Sequence, residues 1–293
     1  MEGEMRLPQA AIVGAVIALL LPEPGAAGLK AVASIYPISA IVREIAGDRV
    51  DVTTLVPAGS DPHHFELTPK KAEAIYDADV VFLIGGGFDG WVLPSAGRDL
   101  RNTRIVSFYE DFSESLLSMG NSFNPHFWLD PLYAKRMGEI VGQALCSLDT
   151  ANCSFYRSNV ERFAAEMDSI NASISERLRK SGFRDFVAFH PAWSYFARRY
   201  GLHERATLEI SPENEPSAKH IAEVVRDMIS NGVKIIVAEQ FSNPDLAQAV
   251  ASQTGARIIY LDPLGSADMP DRDTYAKLLD HDVSAIENSV RKK

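Results

Sequence analysis

From Gln143 through Ser181 the chain contains neither proline nor glycine. Within that stretch Val160, Phe163, Met167, Ile170, Ile174 and Leu178 recur at alternating steps of three and four, the spacing of one helix face. Residues 154 to 179 predict a rod of roughly 39 Å at about 1.5 Å per residue. That is long for a helix inside a globular unit, and its apolar stripe is too short and mixed for a coiled coil. The rod divides the sequence in two, and on each side strand and helix signals alternate. Before it, Lys30–Ile35, Val50–Val56, Asp79–Ile84 and Thr103–Phe108 read as strands. After it, Phe186–Phe189, Arg205–Ile210, Val233–Ala238 and Ala256–Leu261 do. Continuous apolar runs such as DVVFLI fit buried parallel strands, and the alternation fits βαβ units. The expected architecture is α/β, with about four strand–helix units on each side of one long linking helix. Helix starts are expected at Ser39, at Thr68-Pro69 and at Asp130-Pro131.

The N-terminus reads as a leader. Arg6 precedes an apolar run from Ala10 to Leu21, followed by Pro22, Pro24 and Gly25-Ala26-Ala27. A charge, a short apolar core and small residues at a cleavage site describe a secretory signal peptide over residues 1–27. Glu2 and Glu4 spoil the charged region, which points to translation starting at Met5. The apolar run is too short to span a bilayer. No cysteine lies near the cleavage site, so no lipid anchor is expected. In an oxidising compartment the two cysteines, Cys146 and Cys153, are positioned for a local disulfide across a helix–helix turn. Net charge is −10, so the basic footprint of a nucleic-acid binder is missing.

Metal-type side chains cluster where strands end. His63 and His64 lie in a Pro/Gly/Ser/Asp loop after Val50–Val56. His190 follows Phe186–Phe189 directly, and Asp262 follows Ala256–Leu261. His126 sits further along a loop, in NPHFWLDP. Parallel strands bring their C-terminal ends to one edge, where α/β proteins bind ligands. Three imidazoles and a carboxylate form a plausible four-coordinate site for a borderline divalent metal. Each has an ordinary alternative: packing of His126 against Trp128, a strand-end hydrogen bond for His190, a turn role for Asp262. Gly85-Gly86-Gly87 are read as turn glycines, because a phosphate loop needs a following Lys-Ser or Lys-Thr.

GSDPHHFELTP, NPHFWLDP, HPAWSYFARRYGL, ISPENEPSAKHIAEVV and IIYLDPLG occur in this order. Together they resemble the zinc- and manganese-binding solute-binding proteins of bacterial ABC transporters, over nearly all of the mature chain. The resemblance implies an N-terminal α/β lobe (28–148), a linking helix (149–181) and a C-terminal lobe (182–293), each lobe with a roughly four-stranded parallel sheet. It implies metal held in the cleft by His63, His126, His190 and Asp262, with Glu239 as a reserve carboxylate. Glu209 is a weaker candidate for supporting His190, and His64 falls on a variable position. It further implies a periplasmic, monomeric binding protein that hands its metal to an ABC membrane permease. Many zinc-type relatives carry a His- and acid-rich insertion between the first two ligands. Here Gly90 to Phe123 holds no histidine, so no secondary scavenging loop is expected. Three histidines favour Zn2+ over Mn2+, which prefers oxygen. A closed shell of protein ligands suits transport rather than catalysis, so no enzyme is expected. The competing class is a zinc hydrolase with Glu239 or Asp262 as base, for which no His-Glu-x-x-His element is present. A surface adhesin is a third reading.

Overall fold

The computed structural model describes residues 28–92, 100, 102–119, 122–209 and 215–291. The leader (1–27) and the segment Ile210–Asn214 lie outside the described residues. Two four-stranded parallel sheets form the frame. The first contains β1 (Leu29–Ala33), β2 (Val50–Thr54), β3 (Val80–Leu83) and β4 (Arg104–Ser107), in the order β2-β1-β3-β4. A small antiparallel hairpin of β5 (Ser118–Met119) and β6 (Ser122–Phe123) follows. The second sheet contains β7 (Asp185–Ala188), β8 (His203–Thr207), β9 (Ile235–Ala238) and β10 (Arg257–Tyr260), in the order β10-β9-β7-β8. Read from its own first strand, the second sheet repeats the order of the first. β1 and β7 are the inner strands from which each sheet grows in both directions, and the chain leaving such a strand opens a crevice at its C-terminal end.

Between the sheets runs the helix Cys153–Ser181, of 29 residues and so about 43 Å long. It buries Tyr156, Asn159, Phe163, Met167, Ile174 and Leu178. It packs closely along the helix Pro131–Leu148. A Cβ on Gly138 would meet the Phe163 ring at 2.7 Å, and one on Gly142 would meet the Val160 methyl at 2.4 Å. Those two glycines let the helices approach. Cys146 and Cys153, at the turn between them, are joined by a disulfide. Asn159, buried mid-helix, is satisfied by donating to the Ile45 carbonyl.

Thr68, Asp130 and Ser217 cap their helices through their side chains. Ser39 does not. The helix Tyr36–Ala46 starts earlier, after Ile35 and with Pro37 in its first turn. Ser39 is inside it and bonds Thr54 Oγ1 at 2.6 Å. The fixed φ of Pro37 suits a helix start, and a buried hydroxyl with a strand partner is not free to cap.

One apolar core runs through both halves, from Ile41 and Val80 on one side to Trp193 and Leu261 on the other. Polar ties cross the same boundary. Trp128 Nε1 donates to the Pro263 carbonyl, Tyr195 Oη donates to the Asn124 carbonyl, and Arg199 pairs with the buried Asp130.

Glu44 sits at this junction and accepts from the Tyr275 amide. Burial and the nearby Glu166 carboxylate, opposed by that amide and by Arg162, push its carboxyl up to about 7. Above pH 7 the carboxyl is ionised in folded and unfolded chains alike, and the fold carries the full cost, at most about 3 kcal/mol. As pH falls from 7 towards 4.5 only the folded form takes up the proton, so the cost is relieved. Glu44→Gln should therefore raise the midpoint of thermal unfolding at pH 8, with the gain gone by pH 5. Unfolding of both proteins across that pH range measures it, and an equal gain at both pH values would contradict it.

Candidate metal centre

Three loops deliver three imidazoles to one point. Asp61 ends the β2 loop by accepting from the His63 amide and bonding the His64 ring. That fixes a short turn, Pro62–His64, which sends His63 inward and leaves His64 half exposed. Pro125 and Asn124 start the turn His126–Leu129. His190 leaves the end of β7 in extended backbone before Pro191. His63 Nε2 lies 3.1 Å from His126 Nε2, which lies 3.4 Å from His190 Nε2. His126 and His190 are buried. Zinc–nitrogen bonds of about 2.0–2.1 Å at tetrahedral angles put ligand nitrogens roughly 3.3 Å apart. Two of the three pairs thus already stand at ligand spacing, and all three ligand atoms lie within 4.8 Å of one another. Gly85, Gly86 and Gly87 all have positive φ and turn the chain so that Phe88 packs edge-on against His63.

Tautomers follow from the outer partners. His190 Nδ1 faces Glu239 Oε2 at 3.0 Å, so Nδ1 carries the proton and Nε2 is free to ligate. Glu239 is fully buried and also accepts from Trp193 Nε1 and Ser242 Oγ. Burial lowers the proton affinity of His63, to about 4, with the His190 charge adding to the effect. Burial likewise holds His126 well below the ordinary histidine range. For His190 burial pulls downward, but the Glu239 carboxylate outweighs it and the net shift is upward. Two imidazoles kept neutral by burial, His63 and His126, and a third anchored by a carboxylate, His190, converge on one point.

Among the described residues, the close group of ligand atoms is His63, His126 and His190. Asp262, expected as the fourth ligand, stands outside it. One carboxylate oxygen, Oδ1, caps the turn that follows by accepting from Leu264 and Gly265, and Oδ2 pairs with Arg272 at 3.0 Å. The reason is Arg272, ten residues on, whose guanidinium occupies the carboxylate. The neighbouring Pro263 carbonyl holds Trp128, so the Leu-Asp-Pro-Leu-Gly turn fastens the two halves together. Glu239, the reserve ligand, stands behind the His190 ring on its Nδ1 side. The face of the site nearest solvent opens into a cavity of about 310 Å³ lined by Asp61, His63, His64, His190 and Glu209. Sequence reasoning missed Asn124, whose side chain accepts from His126 Nδ1 at 2.8 Å. An Asn two residues before a histidine was the available signal.

Two α/β halves on a helical spine, with metal-type ligands from both halves meeting in the cleft, define a bilobal solute-binding protein for a metal ion. The chain belongs to the ZnuA family, described as the periplasmic component A of a zinc-uptake complex, whose pattern matches residues 31–289. The high-affinity zinc uptake system protein ZnuA of Bacillus subtilis is 25% identical over 280 residues, covering 89% of this chain and 88% of the relative. The zinc-binding lipoprotein AdcA of Streptococcus pneumoniae is also 25% identical, but the match spans 56% of that longer protein. A crystal structure of ZnuA superposes with a TM-score of 0.80 at 29% identity, covering 90% of this chain and 99% of the other. The laminin-binding protein of Streptococcus agalactiae, titled a bifunctional protein with adhesin and metal-transporting activity, gives 0.79 at 28% identity, covering 90% and 99%.

Proposed function

We propose that this protein captures Zn2+ in the cleft between its lobes, outside the cytoplasmic membrane, and delivers it to an ABC-type permease. The observation that carries this reading is the triad of converging imidazoles, contributed by both halves. His63, His126 and His190 are the ligands, and the fourth position faces the cavity beside Glu209. Residues 1–27 act as the export signal, 28–148 and 182–293 as the lobes, and 149–181 as the bridge. The protein works as a monomer. Family membership supports a carrier rather than an enzyme.

Manganese is the alternative cargo. A Mn-bound periplasmic metal-binding protein from Candidatus Liberibacter asiaticus has the same fold, with a TM-score of 0.78 at 25% identity. An all-imidazole set favours zinc, because manganese prefers oxygen ligands, and Arg272 pairs with the Asp262 carboxylate that would add one. Equilibrium titration of untagged protein with zinc in the presence of a competing chelator, repeated with manganese, tests the proposal. Zinc binding at one equivalent and at least a hundredfold tighter than manganese is expected. Preference for manganese would overturn the cargo. Zinc-dependent ester or peptide hydrolysis would instead favour the hydrolase.

A further inference from the structure

Asn124 is fixed at both ends by backbone. Its Oδ1 accepts the His126 amide at 3.0 Å, and its Nδ2 donates to the Pro191 carbonyl at 2.6 Å. An amide N–H only donates and a carbonyl only accepts, so the orientation of the Asn124 side chain is set. His126 Nδ1, 2.8 Å from the same Oδ1, therefore carries the proton, and Nε2 presents its lone pair to the metal point. The chain of bonds continues. Asn124 Nδ2 also reaches Ser194 Oγ at 3.3 Å, and the Ser194 hydroxyl donates to Glu204 Oε2 at 2.6 Å. The Pro191 carbonyl competes for that hydroxyl at 3.2 Å, but the shorter contact to a carboxylate is the stronger. One donor at each step, His126 Nδ1–H, Asn124 Nδ2–H and Ser194 O–H, runs towards Glu204, while Asn124 Nδ2 also donates to the Pro191 carbonyl.

Glu204 lies on β8, in the opposite half of the molecule from His126. Its other oxygen, Oε1, is buried with no hydrogen-bond partner among the described residues. A half-satisfied buried carboxylate costs stability, and a serine hydroxyl could donate equally to a neutral acceptor. Hydrogen bonds in a row polarise one another, and an anion at the end of the row strengthens each acceptor before it. When an ion draws electron density from His126 Nε2, its Nδ1–H becomes a better donor, and this row is built to receive it.

We propose that Glu204 is a positioning residue of the metal site: through Ser194 and Asn124 it strengthens the Nδ1–H hydrogen bond of His126 and makes its Nε2 a better metal donor. Its effect on affinity rests on the zinc-capture reading; its effect on the His126 proton does not. Outer partners of metal-bound histidines are typically worth 10–100-fold in affinity, and at two bonds' remove the lower figure applies.

The test uses the mature protein at pH 8, where Glu204, pushed up to about 7 chiefly by burial, is ionised. Ser194→Ala and Glu204→Leu should each weaken zinc about tenfold, and the double variant should be no worse than the poorer single one. Glu204→Gln, which keeps an acceptor oxygen, should fall between wild type and Glu204→Leu. In the metal-free protein the NMR signal of the His126 Nδ1 proton should move upfield in both single variants. An unmoved signal in the folded Ser194→Ala protein overturns the relay, even where zinc weakens, because a charge acting through space needs no serine. Additive losses in the double variant overturn it as well. Should Glu204→Leu fail to fold, Ser194→Ala alone decides. Failure of the wild-type protein to bind zinc would sink the transport reading and leave the NMR result standing.

Discussion

His126→Ala is expected to weaken zinc binding about a thousandfold while His64→Ala changes it less than threefold. Structural zinc sites are worth about 10–16 kcal/mol over their whole ligand set. One of three protein ligands then accounts for roughly 4 kcal/mol, or about a thousandfold in dissociation constant. His126 is the middle donor, within 3.4 Å of both other Nε2 atoms. His64 is half exposed and bonded to Asp61, and its ring faces the cavity mouth. Chelator-competition titration of both variants reads the difference. Equal effects at His64 and His126 would place the ion nearer the mouth than the three rings do.

Glu239→Leu should cost zinc affinity about a hundredfold, the upper end for an outer partner. Its carboxylate is buried, fixes the proton on His190 Nδ1 at 3.0 Å, and satisfies Trp193. Without it His190 loses the group that orients Nε2 and the anion that favours a cation beside it. Asp262→Asn provides the contrast. Removing the charge opposite Arg272 should lower the unfolding temperature while zinc affinity stays within threefold, since that carboxylate caps a turn. The same titrations, with thermal unfolding of the metal-free proteins, check both. If Asp262→Asn loses zinc and Glu239→Leu does not, the assignments of the two acids are reversed.

The frame was legible because its signals are local. Continuous apolar runs marked β3 and β9 to within one or two residues, and the absence of Pro and Gly marked the long helix. Strand ends marked His63 and His190 for the same reason: parallel strands must finish at one edge. The partners of the nearby acids were not legible. That Asp262 pairs with Arg272 depends on an irregular turn that carries no period. Glu239 was noticed as a carboxylate at a strand end, but the side of His190 it would take is fixed by Trp193 and Ser242, which only packing brings together. Ser194 and Glu204 meet through the pairing of β7 with β8, and a residue on an edge strand looks like any surface acid until that register is known. Ser39 misled for a related reason: a serine near a helix start signals a cap only if its hydroxyl is free.

X-ray absorption at the zinc edge, on mature protein loaded with one equivalent, tests the central claim directly. Three imidazole nitrogens at about 2.0–2.1 Å, plus one light atom supplied by solvent or the cavity wall, are expected, with the spectrum unchanged in Asp262→Asn. Fewer than three imidazoles, or a carboxylate oxygen that disappears in Asp262→Asn, would contradict it.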